Sequence, residues 1–194
     1  MSTRNTSTER TSAWSIRLAV HVLKQGGIIA YPTEAVFGLG CLPDKPETIK
    51  KLLHLKQRPV EKGLILLAAD LSQLEPYIRP LENVVLQKIQ SSWPGPTTWV
   101  VPASSQTSTL IKGKFQSIAI RISAHPMVRE ICQQCNSAII STSANTTGKN
   151  VSYSTFDVRR HFKDQLDYVL NGSLGNSNSP TTIKDALTDR VIRY

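Results

Sequence analysis

Residues 26–40 read Gly-Gly-Ile-Ile-Ala-Tyr-Pro-Thr-Glu-Ala-Val-Phe-Gly-Leu-Gly. The glycine pair ends a helical pattern over residues 14–24, where Trp14, Leu18 and Val22 recur at helical spacing with Ala19 and Leu23 beside them. Ile28, Ile29, Ala30 and Tyr31 then form a short apolar run of the kind that makes a buried strand, stopped by Pro32. A helix feeding a buried strand is the opening of an α/β fold. Thr33 can cap the segment that follows, and Gly38 and Gly40 allow a backbone to approach a ligand closely.

The same alternation continues outward. Residues 46–56 read as a second helix, with Pro46 near its first turn and Ile49, Leu52 and Leu53 on one face. Residues 64–69 read as a strand, and 71–77 and 81–90 as helices separated by Pro80. Strands are expected at 99–102, 117–122, 138–141 and 167–170, with a helix at 125–134. Ile183 and residues 191–194 carry weaker strand signals. The expectation is α/β, a single domain built on a twisted mixed sheet with flanking helices. Its 194 residues suffice for one such core. Residues 1–12 are polar and rich in Ser, Thr and Arg, so the domain is expected over 13–194 behind a disordered tail.

Apolar residues make up 40% of the chain and charged residues 19%, and no apolar run reaches membrane-spanning length. Lys and Arg number 23 against 14 Asp and Glu, a formal charge of +9 that favours anionic partners such as nucleotides or RNA. Cys132 and Cys135 have the spacing of a zinc or redox pair, but no second pair follows. Their segment also carries the apolar stripe Met127, Val128 and Ile131, so a packing role is expected, with no metal site and a reducing, cytoplasmic setting.

Chemistry is expected where strands end. Lys56, Arg58 and Lys62 place three cations between a helix and a buried strand, which suits phosphate. Trp93-Pro94-Gly95-Pro96 forms a stiff turn, a shaped wall and not a catalyst. Arg121 ends an apolar strand and needs a partner or a cleft. Ser141-Thr142-Ser143-Ala144-Asn145 offers hydroxyl and amide groups for phosphate or ribose oxygens. No Walker loop, dinucleotide fingerprint or nucleophile elbow is present in the sequence, nor any His and carboxylate spacing of a triad.

Taken in order, residues 31–40, Leu-Lys-Gln-Arg-Pro at 55–59 with Lys62-Gly63-Leu64, Trp-Pro-Gly-Pro at 93–96, Ala-Ile-Arg at 119–121 and Ser-Thr-Ser-Ala-Asn at 141–145 resemble the threonylcarbamoyl-AMP synthase family, the YrdC/TsaC family, in its short bacterial form. Residues 179–185 resemble that family's closing strand, with Thr181 where many members carry Ser. The resemblance implies a YrdC-like sheet with a basic cavity. It implies a nucleotidyltransferase using ATP with Mg²⁺, L-threonine and bicarbonate, and a separate complex that transfers the threonylcarbamoyl group to tRNA. It further implies Lys56 and Arg58 as the catalytic pair, and Lys56, Arg58, Lys62, Ser117, Ser143, Asn145, Val151 and Arg193 around ATP. Thr33, Arg121, Ser141 and Thr181 would hold threonine. The competing reading of the charge is a non-enzymatic protein for double-stranded or ribosomal RNA. Against it, aromatics are only 6% of the chain and lie mostly in apolar runs, not among the basic residues.

Overall fold

Why the chain turns inward at residue 28 is visible in the computed structural model, which describes residues 6–177 and 181–193. Helix α1 (Thr6–Lys24) buries Ile16, Ala19, Val20 and Leu23, and strand β1 (Ile29–Pro32) follows with every residue buried. The helical backbone begins at Thr6, so the segment read as a tail falls partly on α1; residues 1–5 lie outside the described residues. Once a helix exists, each added residue gains a hydrogen bond without a new nucleus, which lets a polar stretch extend it.

Strand β2 (Phe37–Cys41) returns antiparallel to β1, and helix α2 (Pro46–Leu55) packs Ile49, Leu52 and Leu53 onto the sheet. The others are β3 (Ile65–Ala68), α3 (Asn83–Gln90), β4 (Thr97–Pro102), the one-turn α4 (Thr109–Lys112), β5 (Ser117–Ile122) and α5 (Pro126–Cys135). Then come β6 (Ile139–Ser143), α6 (Thr155–Phe162), β7 (Tyr168–Val169), β8 (Thr182–Asp185) and β9 (Val191–Arg193). The expected helix over 71–77 is instead two 3₁₀ turns, Leu71–Gln73 and Glu75–Tyr77, because Pro76 supplies no N–H to an α-helical ladder.

Among the described residues nine strands form one mixed sheet in the order β7-β1-β2-β6-β3-β5-β4-β8-β9. Pairs β1/β7, β3/β5 and β4/β8 are parallel and the rest antiparallel. Two apolar clusters sandwich it. On one face Leu39, Leu66, Ile118, Ile120 and Ile140 pack with α2, α4 and α6. On the other, Ile29, Tyr31, Leu67 and Ile139 pack with α1 and α5.

Alternation along the strands places the site. In β5, Ile118, Ile120 and Ile122 face the larger cluster, so Ser117, Ala119 and Arg121 face the other way. Beyond the reach of α1 and α5 that second face is open. There β5 pairs Ala119 with Ile65, Ile65 pairs with Ser141, and Ser143 pairs with Gly38. Residues from four adjacent strands therefore line one floor, the polar ones coming from β5 and β6.

Candidate active site

Two cavities of about 200 and 330 Å³ open on this floor. Arg58, Leu64, Ile65 and Arg193 line both, so they adjoin across a wall that carries two guanidinium groups. The first also takes in Thr33, Arg121, Ser141, Ser143, Val151 and Thr181. The second adds Lys62, Lys112, Ser117 and Asp185, with an apolar side of Val100, Phe115, Ile183 and Ile192. Cations dominate both.

Arg121 is the most constrained of these cations. It is 5% exposed, and its Nη2 lies 3.2 Å from Oε2 of Glu34, itself 7% exposed. The other carboxylate oxygen of Glu34 accepts from Ser123 Oγ at 2.7 Å and Ala124 N at 3.0 Å. Burial alone would push the Glu34 carboxyl up, but the Arg121 charge and these two donors outweigh it and hold it below its ordinary value. The chain segment after β7 pins the pair in place: Gly175 N donates to Thr33 O and Ser177 N to Glu34 O. A Cβ at residue 175 would come within 2.9 Å of the Glu34 Cα, which is why a glycine stands there. Even so, Nε and Nη1 of Arg121 and Oε2 of Glu34 have no hydrogen-bond partner among the described residues. Buried donors at a cavity wall call for an acceptor.

Lys56 is placed differently from the other cations. It caps α2, is 3% exposed, and lines neither cavity. Its ammonium donates to Ser143 O and Asn145 O, both at 2.5 Å, and to Asn145 Oδ1 at 2.9 Å. Those three bonds use all three of its protons. Burial, and then the charge of Arg58, draw its pKa down to about 8, while the three oxygens act to keep the proton on. Asn145, which also accepts from Ser143 Oγ at 2.7 Å and donates to Lys149 O, likewise stands behind the lining. Lys56 thus ties α2 to the end of β6, and Thr147 completes the tie by donating to Lys56 O from both its N–H and its hydroxyl.

Arg58, in contrast, stays half-buried in the wall. Its Nε and Nη2 donate to Gly63 O at 3.0 and 2.8 Å, which orients the guanidinium across the junction of the two cavities. Burial, and then the nearby Arg193, lower its pKa. Two cations held this close favour a polyanion between them.

Of the twelve residues singled out in the sequence, ten line the two cavities, and Lys56 and Asn145 support them from behind. The Trp93-Pro94-Gly95-Pro96 turn, with a cis Trp93–Pro94 bond, lines neither. Cys132 is buried in α5, its Sγ 3.6 Å from Leu67 O, and burial pushes its thiol far above the ordinary range and that of Cys135 up to about 11. Both are packing residues. Among the described residues no group of His, Cys, Asp and Glu could hold a metal ion, and no helix is long and apolar enough to cross a membrane.

The family profile described as Sua5_yciO_yrdC, telomere recombination, matches residues 21–194. The chain belongs to the Sua5/YciO/YrdC family. Similar to it are the threonylcarbamoyl-AMP synthases of Photobacterium profundum, 48% identical over 92% of this chain and 98% of the relative, and of Cellvibrio japonicus, 44% identical over 92% and 94%. Among solved structures, Sua5 of P. abyssi complexed with L-threonine superposes with a TM-score of 0.83 at 28% identity, over 89% of this chain. This chain spans about half the length of that protein, 51%. YciO of E. coli matches over 92% of this chain and 87% of its own, with a TM-score of 0.79 at 27% identity. The short, single-domain form of the family is the one seen here.

Two features of this family site are absent from the sequence reading. One is Glu34, whose partnership with Arg121 joins residues 87 positions apart and leaves no local signal. The other is the apolar rim of Ala35, Val36, Leu64 and Ile65, which reads in sequence as ordinary core.

Proposed function

We propose that this chain is a threonylcarbamoyl-AMP synthase, condensing L-threonine, bicarbonate and ATP to threonylcarbamoyl-adenylate and pyrophosphate for tRNA modification in the cytoplasm. The observation that carries the reading is Arg121: a buried guanidinium with two unpartnered donor groups at a cavity ringed by Thr33, Ser141 and Thr181. A small molecule bearing both a carboxylate and a hydroxyl satisfies such a set. The likeness to a Sua5 complexed with L-threonine supports threonine as that molecule.

The triphosphate lies against Arg58 and Arg193, and the second cavity, with its apolar side and Ser117, takes the nucleoside. Threonine's amine reacts with bicarbonate to give the carbamate and water. A carbamate oxygen then attacks the α-phosphorus of ATP, forming the new P–O bond as the bond to the β-phosphate breaks and pyrophosphate leaves. The nucleophile is already an anion, so no side chain has to remove a proton from it in the attack. What the protein supplies is position and positive charge. Mg²⁺ would enter with ATP as part of that substrate and offset charge on the phosphates beside Arg58 and Arg193. The adenylate is a mixed anhydride, and the reaction that consumes it is transfer to a tRNA adenosine by a separate complex. A purely RNA-binding protein would have no use for buried, unpartnered donors at the wall of a small cavity.

Pyrophosphate release should depend on bicarbonate as well as on threonine. In carbon-dioxide-depleted buffer the rate is expected to fall to background and to return when bicarbonate is added. Equal release without bicarbonate would mean that threonine's own carboxylate is being activated, and the proposed chemistry would be wrong.

A further inference from the structure

The hydroxyl of Tyr31 is a buried polar group that the reaction above leaves without a task. Tyr31 is fully buried in β1. Its ring lies across β2 at two positions that carry no side chain. A Cβ on Gly40 would come within 2.9 Å of Tyr31 Cε1, and one on Gly38 within 3.2 Å of Tyr31 Cζ. The ring thus packs over two glycines on one face of one strand, Gly40 being required also by Ile140 O, 2.5 Å from where its Cβ would stand, and the ring ends at Ser141, with its hydroxyl 2.8 Å from Ser141 Oγ. Ser141 pairs with Gly40 in the sheet and lines the first cavity.

The direction of this bond follows from counting protons. Burial raises the Tyr31 pKa far above its ordinary value, so the phenol keeps its proton. Around it are Ile29, Leu67 and Ile139, and the acceptor given to it is Ser141 Oγ. If Ser141 donated instead, the phenolic proton would be left buried without an acceptor, a costly arrangement. Tyr31 therefore donates and Ser141 accepts. The proton of Ser141 itself then has no acceptor among the described residues and is free to point into the cavity.

We propose that Tyr31 is a positioning residue that fixes the Ser141 hydroxyl as a hydrogen-bond donor to an acceptor oxygen of the amino-acid substrate. It sets affinity for threonine without touching it. This rests on the assignment of the first cavity to threonine.

The test is a double-mutant cycle of Tyr31→Phe and Ser141→Ala, read by calorimetric binding of L-threonine and by the separate KM values for threonine and ATP. Tyr31→Phe keeps the ring, and thermal melting checks that each variant is folded. It is expected to weaken threonine binding about tenfold, the effect of one hydrogen bond, while the KM for ATP stays at the wild-type value. Ser141→Ala should weaken threonine to a similar degree, and the double variant should be no weaker than Ser141→Ala alone. Full additivity, an equal rise in the KM for ATP, or wild-type threonine affinity in Tyr31→Phe would each overturn the inference. A wild-type protein that makes adenylate while the variants are additive sinks this inference alone. One that binds no threonine sinks the assignment of the cavity with it.

Discussion

Glu34→Ala is expected to cost about 3–5 kcal/mol of stability and to abolish turnover at ordinary threonine concentrations, because it leaves Arg121 charged, buried and unpaired. The two side chains are 9% and 7% exposed, so water cannot replace the lost partner. Ser123 Oγ and Ala124 N lose their acceptor in the same step. Glu34→Gln is the milder version: it keeps an acceptor for those two donors and removes only the charge. Denaturant midpoints of the two variants, set beside threonine saturation curves, separate the two effects. An Ala variant within about 1 kcal/mol of wild type would show that the pair is not what holds this corner together.

The same pair predicts a pH dependence whose sign can be worked out. The folded-state pKa of Glu34 lies below its ordinary value. Between the two pKa values the unfolded chain binds the proton and the folded chain does not, so stability rises with pH there. The contribution is complete above the ordinary carboxylate range, roughly pH 4.3, and is lost as pH falls through the folded value. Wild type should therefore lose a component of stability under acid that Glu34→Gln does not lose.

How far the sequence discloses this corner depends on where side chains exist to be read. The buried strands β1, β3 and β5 announce themselves as apolar runs, and their neighbouring helices as stripes. Strand β2 does not, because at Gly38 and Gly40 the side chains that would show a two-residue period are missing, where a Cβ would meet the Tyr31 ring and, at Gly40, also Ile140 O. In sequence it reads as a glycine-rich turn. Strand β6 extends through Ser143 for the opposite reason: its polar half faces the cavity, and polar residues imitate a loop. Helix α6 was legible and is absent from the reading above. Ser154 stands three residues before Asp157, and its hydroxyl accepts from Asp157 N at 3.1 Å and donates to Asp157 Oδ2 at 2.9 Å, an N-cap whose acidic partner also accepts from Tyr153 N. Val158 and Phe162, four apart, are its buried face.

The cavity follows a similar rule. Arg121, Ser141 and Arg58 were visible as polar or charged residues at strand and helix ends, where a fold of this class puts its ligands. What stood out of reach was which cation touches the cavity and which holds the wall, since Lys56 and Arg58 are two residues apart and look alike in sequence. The difference is set by the turn after α2. Gln57 has a φ of 49°, which reverses the chain between them and sends Lys56 into the protein and Arg58 into the cavity.

That difference yields a contrasting pair of variants. Arg58→Ala should lower turnover by about ten- to a hundredfold, the effect of one lost charge-assisted contact to phosphate of about 1.5–3 kcal/mol. Its melting temperature should stay close to that of wild type, since its hydrogen bonds go to the carbonyls of Lys62 and Gly63 at a half-exposed position. Lys56→Met keeps a chain of similar length and removes all three donors. Asn145 O then loses its donor, at about 1–3 kcal/mol for an acceptor left unpaired, while Ser143 O and Asn145 Oδ1 keep only their bonds from Asn145 N and Ser143 Oγ. The variant should therefore lose about 1–3 kcal/mol of stability as well as activity, because the end of β6 is then held to α2 only through Thr147 on the carbonyl at position 56. The two measurements, melting and turnover, should fall together for Lys56→Met and apart for Arg58→Ala. If Lys56→Met melts like wild type and loses only turnover, the ammonium is acting on the phosphates and not on the wall. If Arg58→Ala retains full turnover, the polyanion lies elsewhere and the junction of the two cavities is not where ATP reacts.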